Sequence, residues 1–306
     1  MALRRDRFAA GVLLLLVTVL SWGGTFPVGK SAVSGLDPYW LGAIRYLFTA
    51  SFFAAVLALT EGPRAFRYEG RFAAAAAIGV IGFCGFNLLA FIALQYTRAE
   101  HVALVNALQA PMTALAHWVW RGARPARFTL ACMATAFVGV SLVVTRGDPA
   151  AALQGGSLVG AVLALGAAVS WVTYVLGVVK FSGFSALRYT TLTCLPGTLG
   201  LLVIAAAATA AGVAHPPGAA ALHQFRWEVA YLIVFTGIVG VLCWNAGIQR
   251  VGPLDAVLLA NLIPIVVFAI AALQGTRFAP VEVGGAALVI GALVANNLYL
   301  RRAAGK

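Results

Sequence analysis

Polar side chains recur at helical spacing inside otherwise apolar segments of this 306-residue chain. In one segment, amide, hydroxyl and imidazole side chains are three or four positions apart, at Asn106, Gln109, Thr113 and His117. An α-helix places residues at such intervals on one face. A polar face is costly against lipid, so it must face protein or a water-filled cavity. Such a polar face can form hydrogen bonds with a small polar ligand. Hydrogen bonds between helices would produce the same pattern.

Two prolines accompany polar residues in corresponding segments. Pro111 lies within the polar face, and Pro264 follows Asn261 by three positions. Proline lacks a backbone donor and disturbs the preceding helical turn, which favours a kink and leaves a carbonyl acceptor available. We predict that both prolines mark kinks or gating positions, although prolines are also frequent in ordinary membrane helices.

Indoles and hydroxyls lie near the middle of other apolar segments. Trp22 and Thr25 share one helical face, and Trp171 lies beside a face of small residues. An indole N–H at that depth needs a partner, whereas small residues also favour close helix packing. Both interpretations, cavity lining and packing, stay open. The complete predicted set of cavity-lining residues is Trp22, Thr25, Asn87, Asn106, Gln109, His117, Trp171, Tyr174, Trp244, Asn245 and Asn261.

Two arginines lie within apolar segments. Arg45 is about seven residues into its segment and Arg188 about four. A central arginine costs roughly 2.5–3.5 kcal/mol on insertion scales, and snorkelling lowers this near an end. We expect Arg45 to point toward the outer face and Arg188 toward the inner face. Each is either a structural anchor or a charge at a mouth that attracts an anionic group such as a carboxylate.

The segments that position these residues are long enough to cross a membrane. The chain is 62% hydrophobic and 10% charged, whereas soluble domains are about 25% charged. Helices are required because open strand edges leave backbone groups unpaired in lipid. We expect no signal peptide to be removed. The predicted spans, called span one to span ten, are 8–30, 39–60, 72–95, 101–120, 127–145, 157–179, 185–211, 228–248, 254–274 and 281–300.

The second half of the chain repeats the first. Matching features are Ser21-Trp22 with Ser170-Trp171, Arg45-Tyr46 with Arg188-Tyr189, Gly82-x-x-Gly85 with Gly237-x-x-Gly240, and Pro111 with Pro264. A unit of five spans begins and ends on opposite sides, so its successor must insert upside down. Inverted repeats are typical of secondary transporters. We therefore predict an all-α integral membrane protein with two inverted five-helix repeats, 1–148 and 149–306, around a central cavity.

Lysine and arginine are unevenly divided between the two faces. The face with both termini has 14 of these residues and the other has 5. Basic loops favour the cytoplasm, so both termini are predicted to be cytoplasmic. The formal charge of +12 then reflects membrane orientation, and we predict no nucleic-acid partner.

Several kinds of chemistry are disfavoured. No Asp or Glu lies deep within a span, which argues against a proton relay or sodium site built on a buried carboxylate, although His117 could titrate. The four cysteines lie in apolar spans without C-x-x-C spacing and are interpreted as buried hydrophobic residues. We find no nucleotide-binding loop, nucleophile–base pair or metal-ligand cluster in the pattern. We predict no enzymatic activity, no cofactor and no metal.

The order of these features resembles the EamA family of the drug/metabolite transporter superfamily. The marks are the ten-span repeat, Trp22-Gly23-x-x-Phe26-x-x-x-Lys30, Trp171-x-x-Tyr174, Arg45, Pro111 and Pro264. The resemblance covers about residues 8–300. It implies an inner-membrane carrier of small organic solutes, commonly an exporter of amino acids, with a cavity between spans one, three, four, six, eight and nine. Trp244-Asn245 is similar to a pair in members close to aromatic-amino-acid exporters.

Two classes of function follow from these observations. The first is a secondary transporter that exports a small zwitterionic or polar metabolite by alternating access. A passive facilitator and a nucleotide-sugar-type exchanger are alternatives within transport. The second class is a non-transporting receptor or assembly partner, which the short loops disfavour. The expected partners are a small-molecule substrate and the lipid bilayer, and the chain is expected to be a monomer or weak dimer.

Overall fold

Ten helical spans form the protein in our computed structural model, which describes residues 2–122, 124–148, 150 and 156–304. In order, the spans are Ala2–Gly23 with Thr25–Ala32; Pro38–Thr60; Phe72–Gly79, Val80–Gly85 and Phe86–Tyr96; Ala99–Ala107 with Gln109–Arg121; Arg127–Thr145; Ser157–Gly177 with Val178–Phe181; Ala186–Ala210; Arg226–Tyr231, Leu232–Val239 and Gly240–Val251; Pro253–Ala260 with Ile263–Leu273; and Pro280–Ala304. Among the residues that the structure describes, two short helices, Pro63–Phe66 and Ala219–Gln224, lie in connections.

Most of the spans have the length and apolar composition needed to cross a bilayer. Within the described residues, nine are long and apolar enough to do so by length and composition. The remaining one is span four, which is more polar because it carries Asn106, Gln109 and Thr113. The predicted all-α, ten-helix membrane fold with two inverted repeats around a central cavity is confirmed. The boundary after residue 148 stays a prediction, because residues 149 and 151–155 lie outside the described part of the chain.

The most extensive helix packing joins the two halves. Span one packs against span eight, span two against seven, span three against six and span five against ten. If each span is replaced by its counterpart in the other half, the pair of spans one and eight becomes the pair of spans six and three. The pair of spans two and seven and the pair of spans five and ten stay the same. A two-fold axis in the membrane plane requires this pattern.

Irregular backbone occurs at equivalent places in the two repeats. Span three is π-helical over Val80–Gly85, and its counterpart, span eight, over Leu232–Val239. Span four is interrupted at Leu108, and span nine between Ala260 and Ile263. Such irregularities are tolerated at membrane depth only where protein buries them or they line a cavity. Their positions therefore mark the centre of the bundle.

Spans five and ten approach closely through glycines. A Cβ atom added to Gly139 would lie 2.6 Å from the carbonyl oxygen of Gly285, and one added to Gly285 would lie 2.7 Å from that of Gly139. Both distances are too short for a real side chain. In contrast, a Cβ atom on the neighbouring Gly284 would meet no described atom within 4 Å.

We predict that Gly285→Val destabilises the protein, because the added side chain would push span ten away from span five. Overpacking of this kind costs about 1–3 kcal/mol. Thermal unfolding of the purified protein in detergent measures the effect. Gly284→Val is the matched control, since it adds the same side chain to the same helix where space is open. Equal melting temperatures for the two variants would show that the glycine contact does not hold these spans together.

Candidate functional site

A cavity of about 300 Å³ lies between the two halves, where the spans are irregular. Its polar lining side chains are Thr25, Arg45, Tyr46, Asn106, Gln109, Thr113, Thr236 and Asn261. Its larger apolar lining consists mainly of Trp22, Phe26, Phe83, Phe86, Trp171, Trp244, Ile263 and Pro264. A mostly apolar wall with a few polar groups is typical of small-molecule sites, and this volume is at the small end of their range.

Aromatic rings from both halves form opposite parts of the wall. The centroids of Trp22 and Trp244 are 5.3 Å apart, and those of Trp171 and Phe86 are also 5.3 Å apart. The indole Nε1 of Trp22 donates to the carbonyl oxygen of Thr236 at 3.2 Å, which fixes this ring to span eight. The rings can therefore hold the apolar part of a solute between the repeats.

Amide groups form the side of the cavity near the breaks in spans four and nine. Asn106 Nδ2 donates to the carbonyl oxygen of Val102 at 2.9 Å, and Gln109 Nε2 donates to Asn106 Oδ1 at 3.1 Å. Asn261 is 6% exposed, and its Nδ2 has no acceptor among the described residues. A buried donor without an acceptor is costly, so Asn261 is suited to bind a polar group that enters the cavity.

Arg45 lies deep in the bundle and lines this cavity, which differs from the predicted mouth position. The side chain is 4% exposed. Its Nε donates to the carbonyl oxygen of Leu232 at 2.9 Å, and its Nη1 donates to Asn87 Oδ1 at 2.7 Å. These acceptors come from spans eight and three, and they hold the guanidinium inward where a snorkelling side chain would reach the surface.

Asn87 supports the cavity from behind the described lining. It is 1% exposed, and its Nδ2 donates to the carbonyl oxygen of Phe83 at 2.7 Å. This bond orients Oδ1 toward Arg45, so the amide both satisfies and positions the guanidinium. Asn87 therefore acts through Arg45 in this geometry, while the prediction that it lines the cavity itself is not met by the described lining.

The other predicted residues differ in whether they belong to the described lining of the cavity. Trp22, Thr25, Asn106, Gln109, Trp171, Trp244, Asn261 and Pro264 lie in the described lining. Tyr174, Asn245 and Pro111 do not: Tyr174 stacks on Tyr189 with centroids 5.1 Å apart, and Pro111 is buried by packing. His117 belongs to the helix of span four, but its side chain lies outside the described part of the chain. A role in substrate binding stays a prediction for all of them.

Arg188 holds a loop in place and is absent from the described lining. Its Nε donates to the carbonyl oxygen of Ala65 at 2.8 Å, and its Nη2 forms an ion pair with Glu69 at 2.7 Å. The guanidinium also lies 3.8 Å from the centroid of the Phe184 ring. The structure therefore favours the anchor interpretation over the mouth charge for this residue.

Several lining residues were missed from the sequence, including Tyr46, Phe83, Phe86 and Thr236. Phe83 is four positions before Asn87 and shares its helical face, so that face offered a signal. Thr236 offered none through the repeat, because its counterpart in span three is Ile81. In the structure, Thr25 Oγ1 donates to Thr236 Oγ1 at 3.1 Å, which joins spans one and eight beside the cavity.

A cluster of packed apolar side chains adjoins the cavity. Phe26 lines the cavity and also belongs to a buried cluster that includes Leu36, Leu41, Phe91, Leu94, Val102 and Leu104. Glu282, which is 2% exposed, forms ion pairs there with Arg98 and with Arg146, the latter at 3.2 Å. These contacts join the ends of spans three and five to the beginnings of spans four and ten, on the face predicted to be outer.

Comparison with known proteins gives a consistent picture. Residues 9–145 and 158–298 each match the EamA-like transporter family. The chain is similar to the uncharacterized transporter YrdR of Bacillus subtilis strain 168, with 28% identity over 304 residues that cover 98% of this chain and 95% of the relative. YyaM, an uncharacterized transporter of the same strain, is 29% identical over 293 residues, covering 94% and 93%. A solved crystal structure with 20% identity shares the fold, with a TM-score of 0.64 over 95% of this chain and 98% of that chain.

We predict that Asn87→Leu lowers the unfolding free energy by about 1–3 kcal/mol, because Arg45 Nη1 loses a buried acceptor. Asn245→Leu is the matched control: it makes the same substitution within a span, at a residue whose side chain has no hydrogen bond within the described part of the chain. Thermal unfolding in detergent compares the two. If both variants melt at the wild-type temperature, the Asn87–Arg45 bond contributes nothing to stability.

Proposed function

Because the chain belongs to the EamA-like transporter family, we propose that it is a secondary transporter that exports small polar metabolites, with amino acids as its substrate class. In this proposal, the two repeats move relative to each other and expose the central cavity to one face at a time. The observation that carries the proposal is the cavity itself, which both halves line at the positions where their helices are irregular.

The chemistry of the lining supports a small zwitterionic solute. Amides and hydroxyls form hydrogen bonds with either charged group of an amino acid. The faces of Trp22, Trp171 and Trp244 attract an ammonium group and pack against apolar atoms. The cavity of about 300 Å³ suits a solute of this size.

Passive facilitation is the second candidate, and the composition of the lining favours it over proton coupling through a carboxylate. Among the described lining residues, none is Asp or Glu. A facilitator only equilibrates its substrate, whereas coupled export builds a gradient. Uptake into empty vesicles, compared with vesicles preloaded with unlabelled substrate, distinguishes the facilitator from an exchanger, because an exchanger needs substrate on both faces and takes up label only into the preloaded vesicles.

We also propose a placement in the cell inner (plasma) membrane with both termini in the cytoplasm. The excess of lysine and arginine on the face with both termini supports this orientation. In this proposal the chain acts as a monomer or weak dimer with a small-molecule partner. No nucleic-acid partner enters this proposal.

Transport by the purified chain in proteoliposomes tests the proposal. We expect uptake of at least one radiolabelled amino acid above the level in empty liposomes, with competition by other amino acids and little competition by sugars or nucleotides. Protein-free vesicles and heat-inactivated protein are the controls. The proposal fails if no member of the amino-acid, sugar and nucleotide panel is transported by folded, monodisperse protein.

Substitutions in the lining test where the transported solute binds. We predict that Trp171→Ala and Asn106→Ala each lower initial uptake about tenfold or more, because each removes a wall or a hydrogen-bonding group of the cavity. Trp227→Ala and Asn297→Ala are matched controls that remove the same groups outside the described lining. Size-exclusion profiles must show that all four variants are folded. Unchanged uptake in both lining variants would support packing roles instead.

A further inference from the structure

Arg45 is a buried cation at the cavity, and no ion pair joins it to an acidic side chain of the described residues. We propose that its guanidinium binds the carboxylate of the solute in the central cavity, so that the substrates are carboxylate-bearing molecules. This inference rests on the proposed transport function, because it assigns the charge of the solute that enters the same cavity. It is carried by the hydrogen bonds, burial and ion pairing of Arg45.

Part of the hydrogen-bonding capacity of Arg45 is unused by the described residues. A guanidinium has five N–H donors. One on Nε reaches the carbonyl oxygen of Leu232 and one on Nη1 reaches Asn87 Oδ1. Both acceptors are neutral. The remaining donors, on Nη1 and Nη2, form the fork that binds a carboxylate with two parallel hydrogen bonds.

The charge of Arg45 is likewise uncompensated within the described chain. The arginine–carboxylate ion pairs there join other residues: Arg98 with Glu100 and Glu282, Arg146 with Glu282, Arg188 with Glu69, and Arg301 with Asp255. All of these pairs lie at span ends or in loops. A charged side chain that is 4% exposed inside a membrane bundle is costly without a counter-ion, and such residues mark solute or ion pathways.

The repeat supplies an internal comparison. Arg188 is the counterpart of Arg45, and its guanidinium is paired with Glu69 and two loop carbonyls. The positive charge of Arg188 is therefore neutralised within the protein by Glu69. Only Arg45 combines a place in the lining with neutral partners alone. A carboxylate arriving from the cavity would supply the missing negative charge.

Rigid support makes Arg45 suitable for this task. Its guanidinium carbon lies 5.2 Å from the centroid of the Tyr46 ring and 5.7 Å from that of Phe91. With the bonds to Leu232 and Asn87, these rings fix the side chain before any ligand enters. Less conformational entropy is then lost on binding, and the aromatic walls stay available for the rest of the solute.

Matched acid and amide ligands provide the test. The purified wild-type protein is melted with each of the 20 standard L-amino acids and with its α-carboxamide, which keeps the α-ammonium but lacks the α-carboxylate. A ligand that binds the folded state raises its apparent stability. We expect amino acids to bind about 10- to 100-fold more tightly than their amides, the range for a hydrogen bond to a charged group. Equal binding of acid and amide, or no binding by any of the 20 acids, overturns the proposal.

Three variants assign the preference to Arg45. Arg45→Gln should abolish the preference for acid over amide, and Arg45→Lys should retain a smaller acid-to-amide ratio than wild type, because the positive charge is kept and the fork is lost. Arg188→Gln is the matched control and should keep the wild-type preference. If Arg45→Gln does not fold, Arg45→Lys decides: an acid-to-amide ratio equal to that of wild type contradicts the role of the guanidinium fork. A preference that persists in Arg45→Gln also contradicts it.

Binding and flux together separate this inference from the transport proposal. Preferential binding of acids without uptake into proteoliposomes would contradict transport while supporting the role of Arg45. Uptake in which acids and amides compete equally would support transport and contradict the role of Arg45.

Discussion

Backbone hydrogen bonding in hydrocarbon is the constraint on which this structure depends. Lipid offers no partner to an unpaired N–H or C=O group, so departures from the α-helix must be enclosed by protein or line a cavity. Here the π-helical segments of spans three and eight and the interruptions of spans four and nine meet between the two repeats. The central cavity lies at that meeting point, with residues of all four spans in its wall.

The irregular segments also supply acceptors for the polar side chains that join the spans. Carbonyl oxygens of the π-helical part of span eight accept from Arg45 and Trp22, and that of Phe83 in span three accepts from Asn87. Each bond satisfies a side-chain donor that lipid would leave unpaired. The same hydrogen bonds of Arg45 and Trp22 therefore orient side chains of the lining and hold spans of the two halves together. In the proposed mechanism, the two halves move around this shared set of contacts.

The sequence predicted the fold because its signals are local or repetitive. Span length follows from hydropathy, and the inverted arrangement follows from two similar halves with five spans each. The location of Arg45 depends instead on acceptors 187 and 42 positions away along the chain, and no local pattern encodes these. Adjacent residues on a helix differ by about 100° in direction, so Trp244 lines the cavity and its neighbour Asn245 does not. The sequence therefore indicated which face of a span lines the cavity. Which side chains on that face reach the cavity depends on tertiary contacts.

A crystal structure of the protein with a transported amino acid would show whether the solute binds where the helices are irregular. We expect the solute to lie in the central cavity, with its carboxylate within hydrogen-bond distance of Arg45 and its side chain against Trp22 or Trp171. Solute bound outside this cavity, for example in the second cavity of about 310 Å³ beside His101 and Arg146, would contradict it.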